Sequence, residues 1–277
     1  MFDAYTIPLD DWIELFVNWL STNFRGVFQV IRWPVEQILD SINGALQWLP
    51  PLVVLLLIFL IAWRIAGWRV GIFGVVALTF VGFLGLWDDT MITLAMVVSA
   101  VIFCVVVGVP LGILAARSDH FAAGLRPLLD VMQTTPSFVY LVPVVMLFGI
   151  GTVPGVIGTV IFSMPPIVRL TNLGIRQVRE DVVEAAAAFG STESHTLWRV
   201  KFPLAMPTVM AGLNQTLMLS LSMVVIASMI GAAGLGRPVF FGLNNLDVGL
   251  GGIGGIGIVL LAMVLDRITQ GLGQGRK

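Results

Sequence analysis

The chain has 277 residues, of which 57% are hydrophobic and 11% are charged, and its formal net charge is −1. An ordinary soluble domain is roughly 45–50% apolar and about 25% charged, so this composition indicates an all-α polytopic membrane protein. The near-zero net charge offers no basic surface for nucleic acid. The single cysteine, Cys104, excludes an intrachain disulfide and is read as a buried, inert thiol.

Residues 1–48 contain two amphipathic stretches and no basic start, so we expect no cleavable signal peptide. The first stretch places five apolar side chains on one face, opposite acidic ones: Trp12, Leu15, Phe16, Trp19 and Leu20. The second repeats the pattern, with Pro34 as the expected break: Ile31, Val35, Ile38, Ile42 and Leu46. Such extracytoplasmic helices lie along a membrane surface or pack on the protein's own outer face, and the spacing alone fits both.

Seven apolar segments follow and predict about seven transmembrane helices. They cover residues 50–63, 70–87, 90–116, 126–149, 153–168, 203–230 and 249–268. The first two, within 49–89, form a peripheral pair, and 90–277 forms the core of the protein.

The basic residues give these segments an orientation. Most of the 15 lysines and arginines lie in the loops around 64–69, 117–126, 169–201 and 267–277, a set that includes Arg276 and Lys277. Arg25, Arg32 and Arg237 fall on the opposite face. Because positive loops face the cytoplasm, the N-terminus is predicted outside and the C-terminus inside. Tryptophans at the predicted span ends agree with this arrangement, at positions 48, 87, 63 and 68.

The polar stretch 169–201 interrupts the apolar core and predicts two short helices. Val178, Val182, Ala186 and Phe189 fall close to one helical stripe, and Gly190 is a natural stop. Ser191 or Thr192 can cap a second helix, with Glu193 in its first turn, running to Pro203. Residues 185–188 are all alanine and leave a face that another protein's backbone can approach closely.

This stretch resembles the EAA loop of ABC-importer permeases, whose pattern is E-A-A, three residues, Gly, nine residues, Ile, one residue and Leu-Pro. The matching positions are Glu184, Ala185, Ala186, Gly190, Val200, Phe202 and Pro203. Val200 and Phe202 depart from the pattern but stay apolar. Segments 127–151, 229–243 and 265–270 look like the glycine betaine, choline and proline-betaine permeases of that superfamily.

The resemblance implies a type I (MetI-like) permease core preceded by the N-terminal amphipathic helices, in a bacterial cytoplasmic membrane. It implies that the EAA loop docks on a cytosolic ATPase present in two copies, and that a second permease copy and an extracytoplasmic substrate-binding protein complete the importer. We expect alternating access driven by the ATPase, with the solute a quaternary-ammonium compound such as glycine betaine, choline or proline betaine.

The chain itself carries no sequence motif for ATP hydrolysis. Its two lysines, Lys201 and Lys277, do not fit the P-loop pattern, so ATP and Mg²⁺ are expected on the partner subunit. The glycines at 252–257 satisfy a dinucleotide pattern but lie in an apolar span, and packing through Gly251 and Gly255 explains them better. No cluster has metal-ligand spacing, and no Ser/His pair lies at membrane depth, so we expect a transport subunit and not an enzyme.

Polar residues in two spans are candidates for the substrate path. The span at 126–149 is interrupted around Pro136, where freed carbonyls are tolerated beside a water-filled cavity. The candidates are Gln133, Thr134, Thr135, Ser137, Tyr140, Asn214, Gln215 and Ser222, with Thr216 and Ser220 on the opposite side of their helix. Such groups equally often hold packed membrane helices together. Tyr140, Phe138 and Phe162 are candidate cation–π partners of a quaternary ammonium.

Three further features stay open. Asp130 and Asp266 lie near the inner ends of their spans and serve as structural anchors or as transport residues. Segment 231–247 predicts an irregular or re-entrant turn on the outer face. For the whole chain, an amino-acid importer permease and an autonomous secondary transporter remain alternatives, although no acid or base lies clearly at mid-membrane.

Overall fold

A computed structural model describes residues 8–273, and each regular element in that range is a helix or a helical turn. The helices are α1 Leu9–Asn23, α2 Arg25–Trp48, α3 Pro51–Ala66, α4 Trp68–Phe83, α5 Trp87–Arg117, α6 Asp119–Thr134, α7 Leu141–Phe148, α8 Thr152–Arg176, α9 Glu180–Ala188, α10 Glu193–Thr196, α11 Phe202–Ala227, α12 Gly236–Asn244 and α13 Val248–Gly273. The predicted all-α class is confirmed. Arg276, Lys277 and the first seven residues lie outside the described range.

The connections between the long helices gather at two ends of the molecule. At one, called here the Gly151 end, the Gly151 amide donates to the Ile230 carbonyl (3.0 Å) and the Leu235 amide to the Thr93 hydroxyl (2.8 Å). The other, called the Gly190 end, carries the connections at 118, 177–179 and 189–192. It is the end to which the sequence assigns most positive charge.

Four helices within the described range have the length and hydropathy of a membrane span. They are Trp87–Arg117, Thr152–Arg176, Glu193–Ile230 and Val248–Gly273. Counting two sharply bent pairs as spans, α2 with α3 (113°) and α6 with Ser137–Phe148 (105°), raises the number to six. All seven predicted apolar segments are helical, but α4 is short, so the predicted count of seven is approximate.

The core is built around α5, α8 and α11. α8 packs along both α11 and α5, and small residues let the backbones approach closely. A Cβ on Gly112 of α5 would lie 2.6 Å from the Thr171 Cβ of α8, and one on Gly212 of α11 would lie 3.0 Å from the Leu170 Cβ. Both positions therefore need glycine for the helices to pack at this distance.

The N-terminal stretches form α1 and α2, and the two behave differently. Val35 and Leu39 of α2 are buried in a cluster with α5 and α8, so this helix packs on the protein's own face. α1 buries no residue and leaves its apolar face exposed. The break predicted at Pro34 is wrong, because α2 runs through it. The carbonyl that loses its partner belongs to Val30, which lies on an exposed side of the helix, 73% accessible.

The glycine-rich start of α13 packs against α12, which returns along it as a short helix. Gly251 meets Gly242, Gly254 meets Pro238 and Val239, and Gly257 meets Leu235. The expected packing role of Gly251 is confirmed. That of Gly255 is wrong, because a Cβ there would meet no atom within 4 Å. The packing face is therefore set by positions 251, 254 and 257, which are spaced by one helical turn.

Candidate functional site

The predicted stop at Gly190 is a complete Schellman motif. The Ser191 amide donates to the Ala186 carbonyl (3.0 Å) and the Gly190 amide to the Ala187 carbonyl (2.9 Å). Gly190 has φ +80°, a left-handed conformation that side chains with a Cβ disfavour. The last carbonyls of α9 are thus satisfied within the backbone, and the direction in which the chain leaves the helix is fixed.

The next helix begins at once and continues into the membrane core. Thr192 caps it by accepting a hydrogen bond from the His195 amide (3.3 Å), as predicted for Ser191 or Thr192. A π turn at Leu197–Lys201 then leads directly into α11. The second helix was predicted to run to Pro203, where the next span begins, and α11 begins at Phe202. No break separates the two: the Phe202 amide donates to the Leu197 carbonyl, five residues back, and this wider turn accommodates the proline ring.

The two helices, which together we call the elbow (residues 180–201), rest on the core through a few buried groups. Leu197 is buried in a cluster with Ile175 and Ala205, and the buried Thr196 donates its hydroxyl proton to Ser191 (3.0 Å). A cleft of 370 Å³ under the elbow includes Arg117 and Lys201 in its walls. The second helix of the elbow therefore runs without a break from Glu193 into α11 and is packed against the core through Leu197.

The outer surface of α9 consists mainly of small alanine side chains beside exposed acidic ones. Glu184, Ala185, Ala187 and Ala188 are exposed, and Ala186 is half-buried. Phe189 was expected on the helical stripe with Val182 and Ala186, but it lies just after the last residue of α9 and its side chain is 92% exposed. The predicted flat face thus carries a single protruding phenylalanine.

The remaining residues that match the EAA pattern lie where the elbow joins α11. Val200 and Phe202 are half-buried, and Pro203 is exposed. The Phe202 ring lies 5.4 Å from the ring of Trp198, which is itself 54% exposed. Trp198 is therefore a second exposed aromatic group, next to the junction between the elbow and α11.

The first residues of the predicted loop 169–201 belong to α8 and bind α6. Arg169 pairs with Asp130 (2.5 Å), and Arg176 pairs with Asp119 (2.6 Å) and donates to the Ala115 carbonyl at the end of α5 (2.7 Å). The loop therefore begins at Gln177. Asp130 has an anchoring contact, and its partner lies 39 residues away, a pairing that the spacing from Arg126 did not reveal.

Asp119 lies in the connection between two predicted spans, and its carboxylate is exposed. The hydrogen bond from Arg176, helped by the charge of that guanidinium, lowers the pKa of Asp119 below its ordinary value. This ion pair is charged at all pH values near neutrality, and it ties the start of α6 to the end of α8.

The predicted interruption at Pro136 is a bend of 105° between α6 and the helical stretch Ser137–Phe148. The Val131 carbonyl at its inner edge accepts from both the Thr135 hydroxyl (2.8 Å) and the Tyr140 hydroxyl (3.0 Å). The ring of Tyr140 lies 6.5 Å from that of Phe162 on α8, whereas Phe138 is exposed. Two of the three predicted aromatic groups are therefore brought together.

The other polar candidates near the bend sit at its surface. Gln133 and Thr134 are exposed, and Ser137 is half-buried. The Thr134 hydroxyl donates to the Asp130 carbonyl within its own helix (2.9 Å).

The polar residues of α11 divide as the helical spacing predicted. Gln215 and Ser222 are exposed, while Thr216 and Ser220 are buried on the opposite side. Asn214, grouped with the exposed pair, instead accepts a hydrogen bond from Thr269 of α13 (2.6 Å). It therefore links two spans of the core, a contact that requires knowledge of the tertiary packing.

A buried polar seam between α5, α8 and α11 was not anticipated. The Ser220 hydroxyl donates to Ser163 (3.0 Å), which lies 3.6 Å from the Cys104 sulfur and donates to the Thr159 carbonyl (2.6 Å). The burial expected for Cys104 is confirmed. Thr159 and Ser163 share one helix face in the sequence, but the partner Ser220 lies 57 residues away and could not be predicted from that spacing.

Comparison with known proteins gives a consistent result. Residues 108–276 match the family described as binding-protein-dependent transport system inner membrane component. The chain is 54% identical over 273 residues to the Escherichia coli glycine betaine/proline betaine transport system permease protein ProW, covering 99% of this chain and 77% of that one. It is 48% identical over 276 residues to the Listeria monocytogenes glycine betaine/carnitine transport permease protein GbuB, covering 98% of both.

The Bacillus subtilis glycine betaine transport system permease protein OpuAB is also similar, at 44% identity over 266 residues, covering 96% of this chain and 94% of that one. Among solved structures, an inward-facing form of the MetNI methionine ABC transporter matches with a TM-score of 0.58 at 21% identity, covering 68% of this chain and 93% of that chain. At that identity the match speaks for the fold alone, and it agrees with the predicted MetI-like core.

Proposed function

Because this chain belongs to the family of binding-protein-dependent transport system inner membrane components, we propose that it is the permease of an ATP-driven importer of quaternary-ammonium compatible solutes. The solute class is glycine betaine and related betaines, with choline and carnitine as further candidates. The observation that carries this proposal is the 54% identity, over 99% of the chain, to a glycine betaine/proline betaine permease. A likeness of that extent includes the core and the N-terminal helices together.

The complete importer contains other chains. We infer a cytosolic ATPase in two copies that binds ATP and Mg²⁺, a second copy of this permease and an extracytoplasmic substrate-binding protein. The Gly190 end faces the cytoplasm and the Gly151 end faces outward, with the N-terminus outside, because positive charge concentrates at the Gly190 end. The chain is then a multi-pass protein of a bacterial cytoplasmic membrane.

The elbow is the part that the ATPase moves. Glu184, Ala185 and Ala186 supply a face of low bulk against which another backbone fits, and the exposed Phe189 is the natural anchor for a pocket on the partner. Gly190 fixes the angle between the two helices of the elbow. Val200, Phe202 and Pro203 continue the contact into α11 without a flexible joint.

Closure of the ATPase displaces α9, and continuous helix from Glu193 onward carries the displacement into α11 and, by packing, into α8. Rigid-body movement of these helices against the rest opens the path outward, which is alternating access. α6 follows because two ion pairs join it to α8. The bend at Pro136 lies between this moving end and α7, so the angle there changes during transport.

We place the solute path beside that bend. Gln133, Thr134, Thr135 and Ser137 offer polar groups, and Tyr140 with Phe162 offers aromatic faces to a quaternary ammonium. On α11, Gln215 and Ser222 form the accessible polar side, and Asn214 borders it.

Uptake by the reconstituted importer tests this function. The permease is purified with its ATPase, inserted into liposomes and supplied with the binding protein and radiolabelled glycine betaine. We expect ATP-dependent accumulation that excess proline betaine, carnitine or choline inhibits and that excess amino acids leave unchanged. Inhibition by an amino acid alone would favour the amino-acid importer, and accumulation by the permease without ATPase would establish an autonomous transporter.

A further inference from the structure

A cleft of 490 Å³ lies where the end of α1 meets the start of α2 and the end of α7. We call it the corner cleft. Its walls include Ser21, Thr22, Arg25, Gln29, Arg32 and Phe148. It lies at the Gly151 end, far from the elbow, and none of the residues proposed for coupling or for the solute path contributes to it.

The charge of the corner cleft is positive. Arg25, Gln29 and Arg32 follow the i, i+4, i+7 spacing and share one face of α2. Arg32 donates to the Phe148 carbonyl at the end of α7 (3.2 Å) and pairs with Glu36 (3.4 Å), which holds the wall in place. Among residues 8–273 no acidic side chain lies within ion-pair distance of Arg25. The cleft therefore offers one uncompensated guanidinium and a neighbouring amide.

These groups select an anion. The hydroxyls of Ser21 and Thr22 already donate to the Asn18 carbonyl, so the available donors are the five N–H bonds of Arg25 and the amide of Gln29. A guanidinium binds phosphate through two parallel hydrogen bonds. The walls carry no carboxylate, so a quaternary-ammonium solute would meet positive charge there. The nearest acidic residue of α1 is Glu14, which precedes the wall residue Ser21 by about 10 Å of helical rise. That distance exceeds the electrostatic screening length in physiological salt.

The rim of the corner cleft is apolar and exposed. Trp19 and Phe24 make an edge-to-face pair at 5.5 Å and are 54% and 41% accessible, and Phe16 stacks on Trp19 at 6.3 Å. This aromatic edge is continuous with the exposed apolar face of α1, which begins at Leu9 and Trp12. An anion site beside such a surface suits an amphiphile that has a charged head and hydrocarbon chains.

We propose that the corner cleft binds the phosphate of a membrane phospholipid. Arg25 and Gln29 are the direct ligands of the phosphate, Arg32 positions the wall and adds charge, and the acyl chains lie along Phe24, Trp19 and the apolar face of α1. The bound lipid fixes α1 to the membrane surface. This site depends on phosphate chemistry and is independent of the solute that the permease carries.

Native mass spectrometry of the intact complex released from nanodiscs containing phosphatidylglycerol and phosphatidylethanolamine tests the site. We expect one phospholipid per permease to survive mild delipidation in the wild type, and its occupancy to fall about tenfold in Arg25→Gln, which loses a charge-assisted bidentate contact. Arg237→Gln is the matched control, because Arg237 is also an exposed arginine of the Gly151 end. Gln29→Ala should lower the occupancy to a smaller extent.

Two results would overturn the proposal. One is equal lipid occupancy in Arg25→Gln and the wild type. The other is displacement of the lipid by millimolar inorganic phosphate or glycerol 3-phosphate, which would mean that the cleft binds free phosphate and that the apolar rim adds nothing. Circular dichroism and elution as an intact complex confirm that each variant is folded before its occupancy is compared.

Discussion

The elbow at Gly190 and the bend at Pro136 both interrupt helices, but they are stabilised in opposite ways. At the elbow, two amide-to-carbonyl bonds close the end of α9 and a capped helix starts two residues later. At the bend, the Val131 carbonyl accepts one backbone hydrogen bond, from the Thr135 amide (3.1 Å), and two more from the hydroxyl groups of Thr135 and Tyr140. Backbone bonds alone thus close the elbow, whereas at the bend two of the three bonds to the Val131 carbonyl come from side chains that can rotate.

This difference assigns the two regions different roles in transport. Changing the elbow angle requires breaking backbone bonds and moving a residue out of the left-handed conformation, so the elbow acts as a rigid lever. The bend can open by exchanging hydroxyl partners at a cost of about 1 kcal/mol per bond. The conformational change of the importer is therefore expected at the bend and not at the elbow.

Replacing Gly190 by valine should remove the backbone constraint that makes the elbow rigid. We expect this substitution to have the largest effect on uptake. The left-handed conformation costs a side chain with a Cβ about 1–2 kcal/mol, and the two Schellman bonds are worth about 1 kcal/mol each. The variant either keeps this strain or breaks the two bonds to relieve it, so a cost of about 2 kcal/mol predicts a fall in uptake of about 30-fold, while ATP hydrolysis continues. Uptake and hydrolysis are measured on the same proteoliposomes.

Gly124→Val is the control, because a Cβ at either glycine meets no atom within 4 Å and only Gly190 has a positive φ. Wild-type coupling in Gly190→Val would contradict the lever. Equal loss in both variants would mean that added bulk, and not the backbone conformation, causes the effect.

Phe189→Ala tests whether the ATPase binds the elbow at this exposed side chain. Removing a central aromatic anchor from an interface costs about 2 kcal/mol or more, so the ATPase should bind the permease about 30-fold more weakly. Ala186→Arg should likewise prevent copurification of the ATPase. Phe83→Ala is matched in exposure, 87% against 92%, but lies near the Gly151 end, and it should leave the complex intact. Retention of the ATPase by both elbow variants would contradict docking at this face.

Tyr140→Phe tests whether the angle of the bend changes during transport. The variant loses one hydrogen bond to the Val131 carbonyl, worth about 1 kcal/mol, and should shift the equilibrium between bent and straighter forms about fivefold. The expected readout is a changed maximal uptake rate with intact ATPase binding. Thr90→Val, which loses a hydroxyl bond to the Leu86 carbonyl one turn back and lies outside the proposed solute path, should behave like the wild type. Identical kinetics in the two variants would argue against movement at the bend.

Asp119→Asn should have the smallest effect, on stability alone. Because the folded pKa of Asp119 lies below its unfolded value, the ion pair with Arg176 stabilises the protein at neutral pH, and this contribution is lost as the pH falls through the folded pKa. The difference in Tm between wild type and variant should thus be small and constant at neutral pH and should disappear once the pH has fallen below the folded pKa of Asp119. A difference that persisted in acid would assign it to another contact. Asp11→Asn on the exposed α1 serves as control.

The elbow could be predicted closely from the sequence because its signals are local. A glycine after an alanine-rich turn and a threonine before an acidic residue each act within a few positions, and both predicted roles are found, at Gly190 and Thr192. The exposure of Phe189 was missed, since helical spacing continues a stripe past the point where the chain turns. The start of the span near Pro203 was predicted, but the π turn at Leu197–Lys201 that joins it to the elbow was not, because no residue pattern marks such a turn.

The hydrophobic and polar pattern of the sequence could not predict contacts between distant segments. The partners of Asp130 and Asn214 lie 39 and 55 residues away, and Ser163 gains its meaning only from Ser220 and Cys104. Which glycines of α13 pack was also decided by its neighbour, because Gly255 and Gly254 look alike in sequence but only the latter faces α12. Periodicity predicts which residues share a helix face, and tertiary packing determines which residues that face contacts.

Distance measurement between paired spin labels tests the central claim most directly. One pair, at Glu180 and Leu204, spans the elbow, and the other, at Gln133 and Met146, spans the bend; all four positions are exposed. Double electron–electron resonance compares the complex without nucleotide and trapped with ATP. The account predicts that the elbow distance stays constant within about 2 Å while the bend distance shifts by several ångströms. A shift across the elbow with a constant distance across the bend would contradict it.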